Sequence, residues 1–133
     1  MRSDVFFYGL FMDRELLERK GFRPTDVRIA TVRGFALRIG ERAALVPDPK
    51  AEVHGVLVRL AHAELEKLYS EPGVREYRPE AVIALTREGD EVPAVCYNLP
   101  EAPAAKVNAE YARKLRALAE RLGLPEDYVA GMW

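Results

Sequence analysis

Val5-Phe6-Phe7-Tyr8-Gly9-Leu10-Phe11-Met12 sets an unbroken apolar and aromatic run against a single glycine. Val5–Tyr8 reads as a short buried strand, and Gly9 ends it. A glycine at the end of a buried strand lets the backbone turn sharply and approach a ligand. Successive amide N–H groups at such a turn form a concavity that suits an anion, more so if a helix starts beyond it. A carboxylate fits that feature. The same glycine would also serve if it did no more than end the strand.

Working outward, Asp13 is placed to cap a short helix over Arg14–Lys20, with Gly21 as its stop signal. Val27–Val32 and Phe35–Ile39 are strand-like and hinged at Gly34. Ala43–Val46 is a further apolar segment, closed by Pro47 and Pro49. Val53–Leu60 is a β-branched run containing Gly55. Ala61–Tyr69 has helical spacing, with Leu65, Leu68 and Tyr69 on one stripe. Glu71–Tyr77 reads as a loop. Tyr77–Thr86 and Val92–Asn98 form a hairpin around Glu88-Gly89-Asp90.

Pro100–Pro103 reads as a linker, and the clearest helix follows, from about Asn108 to Leu122. Tyr111, Leu115, Leu118 and Leu122 share its apolar face, a pattern that reads as core packing. Gly123 suits the position after its end, and a short helix follows Pro125. Many short strands with few helices predict an α+β fold whose sheet is strongly curved or closed into a small barrel. A parallel doubly wound sheet would need a helix after nearly every strand, and this chain does not supply them.

The 133 residues fit one domain, 1–133. A chain of this length buries roughly two thirds of its unfolded surface, enough for one core without disulfides or a structural metal. Twenty basic and twenty-one acidic residues leave a formal charge of −1. A nucleic-acid binder would be expected to carry a basic excess, so none is expected as a partner. Val5–Met12 is too short to span a membrane, and acidic residues flank it. The lone Cys96 cannot form an internal disulfide, which points to a reducing compartment and to the cytoplasm. Cys96 reads as a small buried hydrophobe. His54 and His62 have no Cys or carboxylate at ligand spacing, so no metal is expected.

Five passages together resemble the γ-glutamylcyclotransferase-like (AIG2-like) family. Phe7-Tyr8-Gly9-Leu10-Phe11-Met12 is similar to that family's opening Tyr-Gly loop. Ala44-Leu45-Val46-Pro47-Asp48 followed by Val53-His54-Gly55-Val56-Leu57 resembles its apolar-Pro and Val-x-Gly-x-Leu passage. Leu68, Gly73, Val74 and Tyr77-Arg78 match the spacing of its Glu-Gly…Tyr-Arg segment. Val95-Cys96-Tyr97 resembles its late strand, and Tyr111…Gly123-Leu124-Pro125…Tyr128 its C-terminal signature. The resemblance implies a mixed β-barrel with flanking helices and a cavity at one end. It implies a small-molecule substrate, release of 5-oxoproline from a γ-glutamyl amine or amino acid, and no metal or organic cofactor.

The resemblance also implies the site. Tyr8, Gly9, Leu10 and Phe11 would form the substrate loop, and Tyr77 and Tyr97 the pocket walls; otherwise the two tyrosines are barrel-wall aromatics with wet hydroxyls. Two departures bear on selectivity and chemistry. Leu10 and Phe11 stand where the family has a polar pair, so the mouth is more apolar. Pro72 stands where the family has its acid–base Glu, directly before Gly73. Proline cannot transfer protons, so Glu71, one residue earlier, is the candidate catalytic carboxylate. In an extended segment that shift turns the side chain to the opposite face. Glu76 either enters the cavity from the same loop or is a solvated charge. The chain is therefore expected to be a γ-glutamyl cyclotransferase with a displaced acid, a binding module of the same fold, or a subunit acting through protein contacts.

Overall fold

The computed structural model describes residues 1–101 and 106–132. The expected linker Pro100–Pro103 thus lies partly outside the described residues. Five strands and four helices follow in the order β1 (Arg2–Phe7), α1 (Arg14–Arg19), β2 (Thr25–Ile39), β3 (Ala43–Ala61), α2 (His62–Leu68), β4 (Arg78–Thr86), β5 (Glu91–Asn98), α3 (Ala109–Leu122) and α4 (Glu126–Ala130). A single turn of 3-10 helix at Leu10–Met12 joins β1 to α1.

The strands close into a barrel in the order β1-β3-β2-β4-β5. All neighbours are antiparallel except β1 and β5, which run parallel and meet at Val5 and Val95. The barrel is therefore mixed, and the fold is α+β. Val5, Phe6, Phe7, Leu57, Leu60, Val32, Ala84 and Cys96 are all buried, so both faces of β1 are covered. No helix among the described residues is long and apolar enough to cross a membrane.

Two strand expectations need correction. The segments hinged at Gly34 are one strand, β2, with a register shift between Arg33 and Phe35. Gly34 sits in that shift at φ +89°, a conformation that a side chain would strain. Nor do Pro47 and Pro49 close a short segment, since β3 runs through both. The reason is pairing: β1 covers only residues 56–61 of β3, so the stretch around the prolines pairs with β2 alone. There a missing N–H can face outward, as proline requires in a sheet.

Gly55 has the opposite role. It lies opposite Ala30, one residue before the Val56–Phe7 pair. A Cβ on it would collide with the carbonyl oxygen of Phe7 and come within 2.9 Å of the Phe6 ring. Glycine here lets β1 lie close against β3, which sets where β1 ends.

Asn98, at the end of β5, ties the barrel end together. Its amide N–H donates to the Leu45 carbonyl at 3.0 Å. Its Oδ1 accepts from the N–H of Leu45 at 2.9 Å and from that of Leu99 at 2.9 Å. The Tyr8 hydroxyl donates to the Tyr97 carbonyl at 2.8 Å, with Asn98 Oδ1 3.3 Å away. One buried side chain thus fixes the end of β5, the start of β3 and the residue after β1.

Two stability predictions follow from these contacts. Gly55→Ala is expected to cost about 1–3 kcal/mol, the usual range for forcing a methyl into a packed core; the urea midpoint should fall with the slope unchanged. Asn98→Leu leaves the Leu45 N–H and carbonyl without partners. At about 1–3 kcal/mol per buried unsatisfied group, its loss in the same urea titration should equal or exceed that of Gly55→Ala.

Candidate functional site

The chain emerging from β1 makes one wall of a cavity of about 50 Å³, to which Tyr8, Gly9, Leu10 and Phe11 all contribute. Tyr77 and Tyr97 line it from the other side, together with Tyr69, Val74 and Tyr111. Arg42 and Ala43 complete it at the turn between β2 and β3. One water needs roughly 10–15 Å³ on this measure, so the cavity has room for only a small group of atoms. It shares Arg42 and Tyr77 with a wider groove of about 690 Å³, which Glu41, Pro72, Gly73, Glu76 and Lys106 also line.

The rings pack on one another. Tyr69 stacks on Tyr97 with centroids 3.9 Å apart and planes 11° from parallel. Phe11 meets Tyr69 edge-on at 5.9 Å, and Phe7 meets Phe11 in the same way. The Tyr77 hydroxyl donates to the Ala43 carbonyl. Tyr111 arrives from the first turn of α3. Asn108 caps that helix by accepting the Tyr111 N–H at 3.1 Å, and its own N–H donates to the Gly40 carbonyl at 2.8 Å. This anchors the helix start to the β2–β3 turn and delivers the Tyr111 hydroxyl to the loop. The backbone of Leu10 and Ala43 lies near enough to that hydroxyl to favour its ionised form, against the larger effect of burial. A Cβ on Gly9 would lie 2.9 Å from the Tyr111 hydroxyl, so the glycine makes room for the tyrosine.

Burial raises the pKa of Tyr8, Tyr69, Tyr77, Tyr97 and Tyr111 above the ordinary phenol value. Arg42 opposes the rise at Tyr77 and Tyr111, as does the backbone of Leu10 and Ala43 at Tyr111. These hydroxyls are neutral near pH 7 and can donate or accept hydrogen bonds. They are poor general bases, because their conjugate phenolates are too rare.

The structure brings Tyr8, Gly9, Leu10, Phe11, Tyr77 and Tyr97 to one cavity and leaves Glu71 outside its lining. Glu71 Oε1 lies 2.8 Å from Lys20 Nζ. The 71–77 passage is not extended: the Glu71 carbonyl accepts from the N–H groups of both Val74 and Arg75, and the Val74 carbonyl accepts from that of Tyr77. In such tight turns a one-residue shift rotates the side chain around the turn instead of flipping it between two faces. Pro72 and Glu76 accordingly reach the wide groove, and Val74 and Tyr77 reach the small cavity.

The remaining candidates lie elsewhere. Cys96 is buried, and burial first and Glu80 second push its thiol up to about 12. His54 lies 2.8 Å from Thr31 Oγ1 and 3.2 Å from Glu52. His62 pairs with Ser3. No group of three or more His, Cys, Asp or Glu among the described residues is placed to hold a metal.

Three lining residues escape the sequence argument. Tyr69 and Tyr111 fall on helical stripes, and stripe membership reads as core. Arg42 is one arginine among many, and only the turn from Gly40 to Arg42, closed by the Gly40 N–H on the Arg42 carbonyl at 3.0 Å, sets it at the cavity. A cue was present for Tyr111, which belongs to the C-terminal passage of the resemblance.

Comparison with known proteins agrees with this architecture. A search of curated proteins returns no match. Among solved structures, a gamma-glutamyl cyclotransferase superposes with a TM-score of 0.83 at 21% identity, over 99% of this chain and 86% of that one. An uncharacterized protein from Homo sapiens gives 0.81 at 22% identity, over 98% and 86%. YkqA from Bacillus subtilis gives 0.76 at 25% identity, over 97% of this chain and 52% of that one. The family model described as gamma-glutamyl cyclotransferase, AIG2-like matches residues 5–116, from the first core residue of β1 into α3. A match over that span takes in all five strands and the cavity they enclose, so the chain belongs to the gamma-glutamyl cyclotransferase, AIG2-like family.

Proposed function

We propose that this protein binds a small γ-glutamyl amine, γ-glutamyl amino acid or their cyclised product in the cavity beside Gly9, and that it releases 5-oxoproline slowly or not at all. The observation that carries the proposal is the lining itself. It joins the Tyr8–Phe11 loop to Tyr77 and Tyr97, yet among the described residues it contains no aspartate or glutamate.

Cyclisation makes one bond and breaks one. The substrate α-amine attacks the γ-carbonyl carbon, and the bond to the leaving amine breaks. The attacking nitrogen must lose a proton and the leaving nitrogen must gain one. A carboxyl group with a raised pKa performs both transfers well, and such groups typically contribute ~100- to 10,000-fold to rate. Here the nearby carboxylates are engaged or displaced. Glu71 is held by Lys20, and Glu76 lies on the groove. For Glu71 to act, the ion pair would have to open and the 71–77 turns rearrange. The residual catalytic power is then positioning alone, supplied by rings and backbone.

The binding half is tested by calorimetry or ligand-observed NMR with 5-oxoproline. Tyr97→Ala removes one face of the stack, a contact of about 0.5–1.5 kcal/mol, so affinity should fall roughly 2- to 10-fold. Binding that ignores Tyr97 would place the ligand elsewhere. The catalytic half is tested by 5-oxoproline release from γ-glutamyl-alanine and γ-glutamylamines. Rates near background are expected for the wild type, Glu71→Gln and Glu76→Gln alike. Robust turnover that collapses only in Glu71→Gln would make Glu71 the acid–base and overturn the slow-turnover proposal. Collapse only in Glu76→Gln would overturn it in favour of the groove carboxylate.

A further inference from the structure

In the small cavity Arg42 is the one charged side chain among the described lining residues. Its guanidinium lies against Gly73, where a Cβ would collide with Nη2. Glutamates 41 and 76 line the groove on its outer side. Yet no carboxylate among the described residues lies within ion-pair distance of Arg42. Its influence is felt instead at the Tyr77 and Tyr111 hydroxyls, both of which face the cavity.

The loop amides, which would otherwise serve an anion, are partly committed: the Met12 N–H donates to the Gly9 carbonyl at 3.0 Å. The Tyr111 hydroxyl crowds the same turn, 2.9 Å from where a Cβ on Gly9 would stand. The cationic group at the junction of cavity and groove, with no ion-pair partner among the described residues, is the guanidinium.

We infer that Arg42 is the carboxylate-binding residue of this site, gripping the acid group of a small ligand whose body lies against the Tyr69–Tyr97 stack. The inference rests on the cavity being the binding site proposed above and assigns to Arg42 a role expected of the Gly9 loop. The planar fork of arginine matches the two oxygens of a carboxylate. Gly73 is what lets that fork lie at the junction, so the two residues form one device. The ligand class follows from the geometry: a compact monoanion, with its acid group at the junction and any further substituent in the groove.

The test compares 5-oxoproline with its neutral primary amide by ligand-observed NMR and calorimetry. Wild type should prefer the acid. Arg42→Gln should weaken the acid about 10- to 100-fold, the usual share of a charge-assisted hydrogen-bonded pair, and leave the amide unchanged. Arg42→Lys should recover part of the loss. Gly73→Ala keeps the guanidinium but displaces it and should weaken the acid as well; thermal melts report whether each variant is folded. Acid binding that is equal in wild type and Arg42→Gln, and still weakened in Tyr97→Ala, would overturn the role of Arg42 while sparing the cavity. Absence of binding of either compound to wild type would overturn the cavity reading and this inference with it.

Discussion

Asn98 does for this barrel end what no ladder hydrogen bond can. The ladder joins only neighbours, and β5 and β3 are not neighbours around the barrel. Its amide group makes a two-way bond with Leu45 and so imitates one rung of a sheet between strands that the topology keeps apart. A buried amide is costly unless its donors and acceptors are met, and here they are met at four points. Tyr8, just after β1, and Tyr97, on β5, flank the clasp and inherit their positions from it. Ala43, two residues before Leu45, does so at one remove, and with it the acceptor of Tyr77. The cavity is thus built on an interaction that touches no ligand.

The fold was legible wherever a residue type has one cheap structural use. A β-branched run, a capping aspartate at 13 and a glycine after α3 each pointed to the element that forms. Legibility failed where the outcome depends on which strand lies alongside. Pro47 and Pro49 look like terminators until it is known that this part of β3 has a partner on one side only. Gly34 looks like a break until its neighbours are seen to continue the same ladder around a shifted register. Pairing is a long-range property, and propensity alone does not encode it.

At the site the division is similar. Backbone features transferred: the turn at Gly9 and the tyrosines at 77 and 97 converge on one cavity. Charged side chains did not, because their placement depends on turn geometry that pattern cannot supply. Glu71 and Pro72 differ by one position, yet the hydrogen-bonded turns of 71–77 send one toward Lys20 and the other toward the groove. Arg42 gave no sequence signal, since a lone arginine before an apolar segment has many ordinary uses. Tyr111 gave a misleading one, because the face of α3 that packs the core also carries its hydroxyl to the loop.

These substitutions bear on one another. In a site that kept a carboxylate at position 72, an unpaired guanidinium packed over Gly73 would have a strong ion-pair partner within the same turn, and the acid would be held ionised and poor at proton donation. With proline there, no carboxylate among the described residues lies within ion-pair distance of the guanidinium. On the role proposed for Arg42, the two positions would be coupled through charge, a proline at 72 leaving the guanidinium open to a ligand. Leu10 and Phe11 fit the same logic, since apolar neighbours lower the local dielectric and strengthen any charge-assisted bond that forms there. A pocket with rings for walls, one cation and no carboxylate among its described lining residues is better suited to holding an anion than to shuttling a proton.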